Sequence, residues 1–314
     1  MTVQVSIHAP RPTWGTAIWR SLLYLILFLL ATLALALPVG IGYFAFRALQ
    51  GIELREITLH LEDALLYLNA FVAAGQFLIA LALSVTWMRL LDRHGSLAEL
   101  GLQWPGRSAP LSLLLGMGMA VLAAGLAAAL GRFGVTGWAW EAESLADVLL
   151  VDLPGFAPLL LFMVLTDELV FRGYIRWEFA DMERIAPIAS AVLYGVYRVV
   201  TWRLWSDTGV QDVQTLMMVG LNGVAAGLAL VWAWQSGKSL WTPFGLHLGW
   251  VLATGLLFSL PVGGKTVEGL LLTRISDGLL TGGMAGPESG AIGLAIWLAI
   301  GGLLWALERR SPGK

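Results

Sequence analysis

Long apolar runs without any Asp, Glu, Lys or Arg dominate this chain of 314 residues. Crossing a hydrocarbon core of about 30 Å as a helix takes about 20 apolar residues. Six runs meet that length: 21–46, 64–88, 108–131, 213–237, 239–264 and 289–307. Inside lipid only helices and closed barrels satisfy their own backbone groups, and unbroken runs of this length are typical of helices. The sequence therefore predicts an all-α polytopic membrane bundle.

Two further runs are shorter and end in charge. Residues 153–166 and 185–197 are apolar for 14 and 13 positions, and the helical pattern then continues through charged residues. Counting them, we predict about eight transmembrane helices. Hydrophobic residues make up 58% of the chain and charged ones 13%, about half the charged share of soluble domains.

The predicted bundle forms one domain, residues 15–310, after a disordered cytoplasmic tail at 1–14. With the N-terminus inside, twelve Lys and Arg residues fall on the cytoplasmic side and seven on the other. This bias predicts that both termini are cytoplasmic. Runs 108–131 and 213–237 are rich in Gly and Ala, which predicts close approach to neighbouring helices. The chain has no cysteine, which excludes disulfides and thiolate chemistry.

The fourth span carries two adjacent acids and an arginine: Asp167, Glu168 and Arg172. A charge inside a bilayer costs several kcal/mol unless it is partnered or wetted, so the group should face the bundle interior. Glu168 and Arg172 are four residues apart with the acid first, the better order for a pair. Asp167 points about 100° away round the helix and needs another partner.

Two other polar residues lie in apolar surroundings, Arg198 in the fifth span and His247 in the seventh. At about 1.5 Å of rise per residue, Asp167 and His247 each lie roughly 10 Å from the cytoplasmic edge, and Arg198 lies somewhat deeper. We therefore predict that three helices present Asp167, Glu168, Arg172, Arg198 and His247 to one polar pocket.

A purely structural interpretation competes with this one. The acids and arginines could form a buried ion network that fixes helix register, and His247 could hydrogen-bond a neighbouring helix. Residues 287–289 (Pro-Glu-Ser) are typical of a helix start, with proline in the first turn and an acid near the positive end of the dipole.

Three short motifs then show a resemblance in order and spacing: Asp167-Glu168-x-x-x-Arg172, Tyr194-x-x-x-Arg198 and His247-x-x-x-Val251. They stand where the CAAX prenyl protease and bacteriocin-processing family of intramembrane metalloproteases has Glu-Glu-x-x-x-Arg, Phe-x-x-x-His and His-x-x-x-Asn. The agreement covers residues 160–255. Residues 280–288 also resemble a loop before the last helix in a bacterial branch of the family.

The resemblance implies a fold of about eight helices, with a protease-like core at 150–260, and metal-dependent cleavage of peptide bonds within or beside the membrane. It implies catalytic roles for Asp167, Glu168, Arg172, Arg198 and His247. Asp167, Glu168 and His247 would hold zinc or another divalent metal. The implied partners are the lipid bilayer and a membrane-associated protein or peptide, in a bacterial inner membrane. No motif for nucleic acid is visible.

Three positions depart from the family pattern: Asp167 replaces Glu, Arg198 replaces His and Val251 replaces Asn. Arginine cannot be a metal ligand because its guanidinium does not deprotonate in proteins. Valine lacks the oxyanion donor, a loss typically worth about 100-fold in rate. The shorter Asp167 would sit about 1 Å further from a water, and misplacement on that scale can cost about 100-fold.

Three functional hypotheses follow. The first is an intramembrane endopeptidase that acts on membrane-associated proteins or peptides with a bound metal. The second is a catalytically impaired relative, with no metal, that binds or regulates a membrane protein. The third is a transporter or channel, for which no inverted repeat is apparent.

Overall fold

The computed structural model describes residues 13–52, 61–92, 98–103, 106–142, 144–182 and 185–310. Most of the predicted disordered tail, residues 1–12, lies outside the described residues. The first helix begins directly after Thr13, whose hydroxyl accepts a hydrogen bond from the backbone N–H of Thr16 at 3.4 Å. A threonine in this position satisfies one of the free N–H groups at the start of a helix.

The chain folds mainly into long helices. They are α1 (Trp14–Leu49), α2 (Leu61–Asp92), α3 (Ser108–Ala129), α4 (Leu145–Glu178), α5 (Ala186–Trp205), α6 (Val213–Gly237), α7 (Trp241–Leu252) and α8 (Ala291–Arg309). Within the described residues, six of them are long and apolar enough to cross a membrane: α1, α2, α3, α4, α6 and α8. The predicted all-α polytopic membrane bundle is confirmed, and the protein is an integral membrane protein.

The remaining two predicted spans are helices of a different kind. Helix α5 carries Arg198 and Arg203, and α7 has only 12 residues before a single π turn at Ala253–Leu257. The predicted helix over 239–264 is therefore wrong beyond residue 257. The chain leaves the helix near Phe258, and positive φ angles at Ser259 and Gly263 turn it back.

Helix α7 is packed among other helices instead of facing lipid. Nine of its 12 residues are buried. At Gly116 of α3 an added Cβ would lie 2.0 Å from the carbonyl oxygen of Leu246, and at Gly249 it would lie 2.0 Å from that of Leu113. Glycine lets the two backbones touch, which confirms the close approach predicted for the third span.

A small antiparallel sheet was missed by the sequence analysis. Strand β1 (Phe133–Trp138) follows α3 and pairs with β2 (Leu271–Ile275), which lies between α7 and α8. The pairing runs from Phe133 opposite Ile275 to Trp138 opposite Leu271. Both strands are too short and too mixed in polarity to stand out beside the long apolar runs.

Helix α4 is not a regular α-helix throughout. It contains π turns at Val148–Asp152 and Leu169–Ile175, and the second begins directly after Glu168. All seven residues of this second turn are buried. π turns are rare in proteins, and those that occur are often found at functional sites. This one lies where the fourth span carries its charges.

Candidate intramembrane site

A carboxylate and an imidazole from two helices meet inside the bundle. Nδ1 of His247, on α7, lies 2.8 Å from Oε1 of Glu168, on α4. The same carboxylate oxygen accepts a hydrogen bond from Nη1 of Arg172 at 3.5 Å, one helical turn away. The side chains of Glu168 and Arg172 are completely buried, and that of His247 is 3% exposed. The structure thus pairs Glu168 and Arg172, as expected from their spacing, and adds His247 to the pair.

The guanidinium of Arg172 fixes this group to two further helices. Its Nη2 donates to the carbonyl oxygen of Gly227 on α6 at 3.4 Å, and its Cζ lies 4.5 Å from the ring centre of Tyr194 on α5. Within the described residues, Oε2 of Glu168 and Nε of Arg172 have no hydrogen-bond partner. One face of the acid therefore keeps an unused acceptor.

Asp167 has separate partners on α5. The hydroxyl of Tyr194 donates to Oδ2 of Asp167 at 3.1 Å, and Nη1 of Arg198 lies 3.9 Å from the same oxygen. Asp167 and Arg198 are 3% and 7% exposed. Asp167 thus has the partner from another helix that its position predicts.

Arg198 is also bound by an acid that the sequence analysis did not include in the site. Its Nη2 donates to Oε2 of Glu288, which lies in the 3-10 turn Pro287–Ser289 before α8. The backbone N–H of Gly263 donates to the same oxygen at 2.8 Å. Arg198 therefore lies between two carboxylates, Asp167 and Glu288.

The complete cluster holds three carboxylates, two guanidinium groups and one imidazole. Its formal charge is −1 with a neutral imidazole and zero when the imidazole carries a proton. Two ion-paired halves make up the cluster: Glu168, Arg172 and His247 form one, and Asp167, Arg198 and Glu288 form the other.

The predicted metal ligands are split between these halves. Glu168 and His247 bond to each other, whereas Asp167 bonds to Tyr194 and faces Arg198. Among the residues that the structure describes, no three His, Cys, Asp or Glu side chains are grouped so that they could hold a metal ion. This arrangement does not fit a catalytic zinc, which needs three protein ligands and an open position.

Two cavities adjoin the cluster, and Arg198 lines both of them. One of about 20 Å³ is lined by His247, Glu288 and Asn222, and it has room for about one water molecule. The other, of about 230 Å³, is lined by Asp167 and Arg198 together with residues of α1 and α2. A solute beside Asp167 would therefore reach it from the larger cavity.

The chemistry available at the small cavity is limited. The Glu168–His247 pair can hold and pass a proton. Val251 is completely buried and has no polar side-chain atom. The amide nitrogen of Asn222, on the cavity wall, donates to the backbone carbonyls of Met218 at 3.0 Å and Gly290 at 3.2 Å. Its N–H groups are thus already used and are not directed at a developing oxyanion.

Sequence reasoning missed Glu288 and the hydroxyl of Tyr194. The two acids and two arginines of the predicted pocket sum to zero charge, so no further acid is expected, and the proline beside Glu288 favours a plain helix start. The resemblance of residues 280–288 to a family loop was the available signal. Tyr194 enters the prediction only as a motif position, although a buried tyrosine hydroxyl usually has a hydrogen-bond partner.

The fold and the cluster define a class: a polytopic membrane protein with a buried charged centre built by α4, α5, α7 and the turn before α8. Residues 149–253, about a third of the chain, match the family model described as type II CAAX prenyl endopeptidase Rce1-like. The resemblance to the CAAX prenyl protease family is thereby confirmed over that segment. Searches of curated proteins and of solved structures gave no match.

Proposed function

We propose that the protein is a non-cleaving relative of the CAAX proteases that binds or regulates a membrane-associated protein or peptide. One observation supports this proposal above the others. Arg198 stands where the family has a histidine, and its guanidinium is held between the carboxylates of Asp167 and Glu288. A fixed positive charge therefore takes the place of a neutral ligand.

Electrostatic repulsion between Arg198 and a metal ion supports this proposal. Two charges about 4 Å apart interact with roughly 4 kcal/mol at an effective dielectric constant of 20, and a divalent ion doubles that repulsion. A metal at Asp167 would also have to displace the hydrogen bond from Tyr194 and the contact with Arg198. The acid is thus neutralised by a group that needs no metal.

A direct test measures metal content and turnover together. The full-length protein, purified in detergent, is incubated with a fluorogenic peptide library and added zinc or cobalt. We expect less than about 0.1 zinc per chain, since a catalytic site needs three protein ligands. We also expect no cleavage above that of the His247→Ala variant. Metal-dependent turnover that disappears in His247→Ala would overturn the proposal.

An active endopeptidase is the second candidate, and the contact of 2.8 Å between Glu168 and His247 favours it. In that case Asp167, Glu168 and His247 would hold a metal or a water, and Arg172 would orient the acids. The variant Arg198→His combined with Glu288→Gln removes the added positive charge and its acid partner together. If this variant binds one zinc per chain and the parent binds none, the ion pairs of the parent take the place of the metal. Zinc bound by the parent would instead support an active endopeptidase.

The orientation in the membrane belongs to the same proposal: a bacterial inner-membrane protein with both termini cytoplasmic. The absence of cysteine allows a clean test with single introduced cysteines. Suitable substitutions are Thr136→Cys and Lys238→Cys, because Thr136 lies on an exposed part of β1 and Lys238 lies at the exposed end of α6. An impermeant thiol reagent applied to intact cells should label only the first. Labelling of only the second would reverse the orientation.

A further inference from the structure

The larger cavity lies between four helices and extends well beyond the charged cluster. Its walls come from α1, α2, α4 and α5, with Lys265 from the segment after α7. Along α1 it extends from Thr32 to Gly40, about 12 Å at 1.5 Å per residue. Its volume of about 230 Å³ is more than ten times that of the small cavity, which holds about one water molecule. It therefore has room for a polar headgroup.

Polar groups without partners line this cavity. The hydroxyl of Thr32 is buried, with the residue only 1% exposed, and it has no hydrogen-bond partner among the described residues. The half-buried amide side chains of Asn69 and Gln76, both on α2, also make no hydrogen bond within the described part of the chain. Unsatisfied polar groups inside a bilayer are costly, so three on one cavity wall indicate a polar ligand.

The charges on the cavity wall favour an anion. The charged side chains that line it are Asp167, Arg198 and Lys265; the carboxylates of Asp167 and Glu288 offset Arg198, so the ammonium of Lys265 is the positive charge available to an anion. Arg198 is engaged by Glu288 from its far side. Lys265 is 26% exposed, and its Nζ lies 3.8 Å from Asp207, a half-exposed acid whose side chain water screens.

We propose that this cavity binds the phosphate headgroup of an anionic phospholipid whose acyl chains remain in the bilayer. The amides of Asn69 and Gln76 and the ammonium of Lys265 donate to the phosphate and glycerol oxygens. Basic pockets between transmembrane helices are a known way of holding such headgroups. Trp205 on the same wall suits the membrane–water interface. The headgroup site does not depend on whether the protein cleaves peptides.

The experiment uses native mass spectrometry of the full-length protein in detergent. Phosphatidylglycerol is titrated against phosphatidylethanolamine with the same acyl chains, and inorganic phosphate is titrated separately. Two variants alter the cavity, Gln76→Leu and Lys265→Gln. Two matched controls make the same changes elsewhere: Gln214→Leu on an exposed part of α6 and Lys238→Gln at its end.

We expect one phosphatidylglycerol per chain, bound at least tenfold more tightly than phosphatidylethanolamine. Each cavity variant should weaken it about tenfold or more, as for one lost hydrogen bond to a charged group, while the controls leave it unchanged. If Gln76→Leu does not fold, the affinity of Lys265→Gln for phosphatidylglycerol provides the test, because Lys265 lies at the partly exposed rim. Equal binding of the two lipids, equal loss in the controls, or saturation by inorganic phosphate alone would each overturn the proposal.

Discussion

The ion pair between Arg198 and Glu288 gives the sharpest prediction. Glu288→Gln removes the charge and keeps an oxygen that can accept from the backbone N–H of Gly263. Removing one partner of a buried pair typically costs about 3–5 kcal/mol. Here Asp167 remains 3.9 Å from the same guanidinium, so part of the compensation survives. We expect a loss of about 2–3 kcal/mol in the free energy of unfolding.

A double-mutant cycle isolates the pair from other effects of the substitution. The free energy of unfolding in mixed micelles is measured for the parent, Glu288→Gln, Arg198→Met and the double variant. The coupling energy should be about 2 kcal/mol, because the double variant leaves neither charge without its partner. The double variant should therefore lose less free energy of unfolding than the two single variants lose together.

A more exposed pair provides the control. Lys265 and Asp207 are 26% and 47% exposed, and the same cycle on them should give less than about 1 kcal/mol. If the coupling energy of Arg198 and Glu288 is equally small, the carboxylate does not hold the guanidinium. The argument that ion pairing takes the place of a metal would then fail with it.

Three further outcomes test other contacts. Gly116→Ala should lower the free energy of unfolding by about 1–3 kcal/mol, because the new methyl meets the carbonyl of Leu246. Gly118→Ala, whose methyl would have no atom within 4 Å, should change it by less than about 1 kcal/mol. Equal effects of the two substitutions would contradict the close approach of α3 and α7. Tyr194→Phe should cost about 1–2 kcal/mol through its lost bond to Asp167, and an unchanged unfolding free energy would remove that bond from the site. Dialysis against a chelator should leave the melting temperature unchanged, and a drop that zinc reverses would show a bound metal.

The sequence predicts the bundle well because lipid permits few structures. A charge-free run of about 20 residues can do little but cross the bilayer as a helix, so five of the six spans, α1, α2, α3, α6 and α8, follow from run length. The end of α7 does not follow, since an apolar run can also be a turn when it is buried in protein. Phe258 and Ser259 illustrate this: they continue the run but not the helix. The small sheet was not predicted because short strands produce only a weak periodic signal in the sequence.

Five members of the cluster follow from the sequence, whereas Glu288, the hydroxyl of Tyr194 and most of the pairings do not. The spacing of four residues predicts the contact between Glu168 and Arg172, and a similar depth in the membrane predicts that His247 lies near them. Which acid meets which base depends on helix rotation, and the motif does not encode it. Only the coordinates show that His247 bonds to Glu168 while Asp167 faces Arg198.

The π turn after Glu168 sets the rotation of the second half of α4. A π turn holds one residue more than an α turn, because its hydrogen bonds join residues five apart. Each residue turns a regular α-helix by about 100°, so an α-helix with the same number of residues would carry Glu178 away from the side where it lies 3.3 Å from Arg20 of α1. Removing one residue from Leu169–Ile175 would let the segment close as a plain α-helix with both ends facing as before, whereas adding one would turn the rest of α4 away from α1.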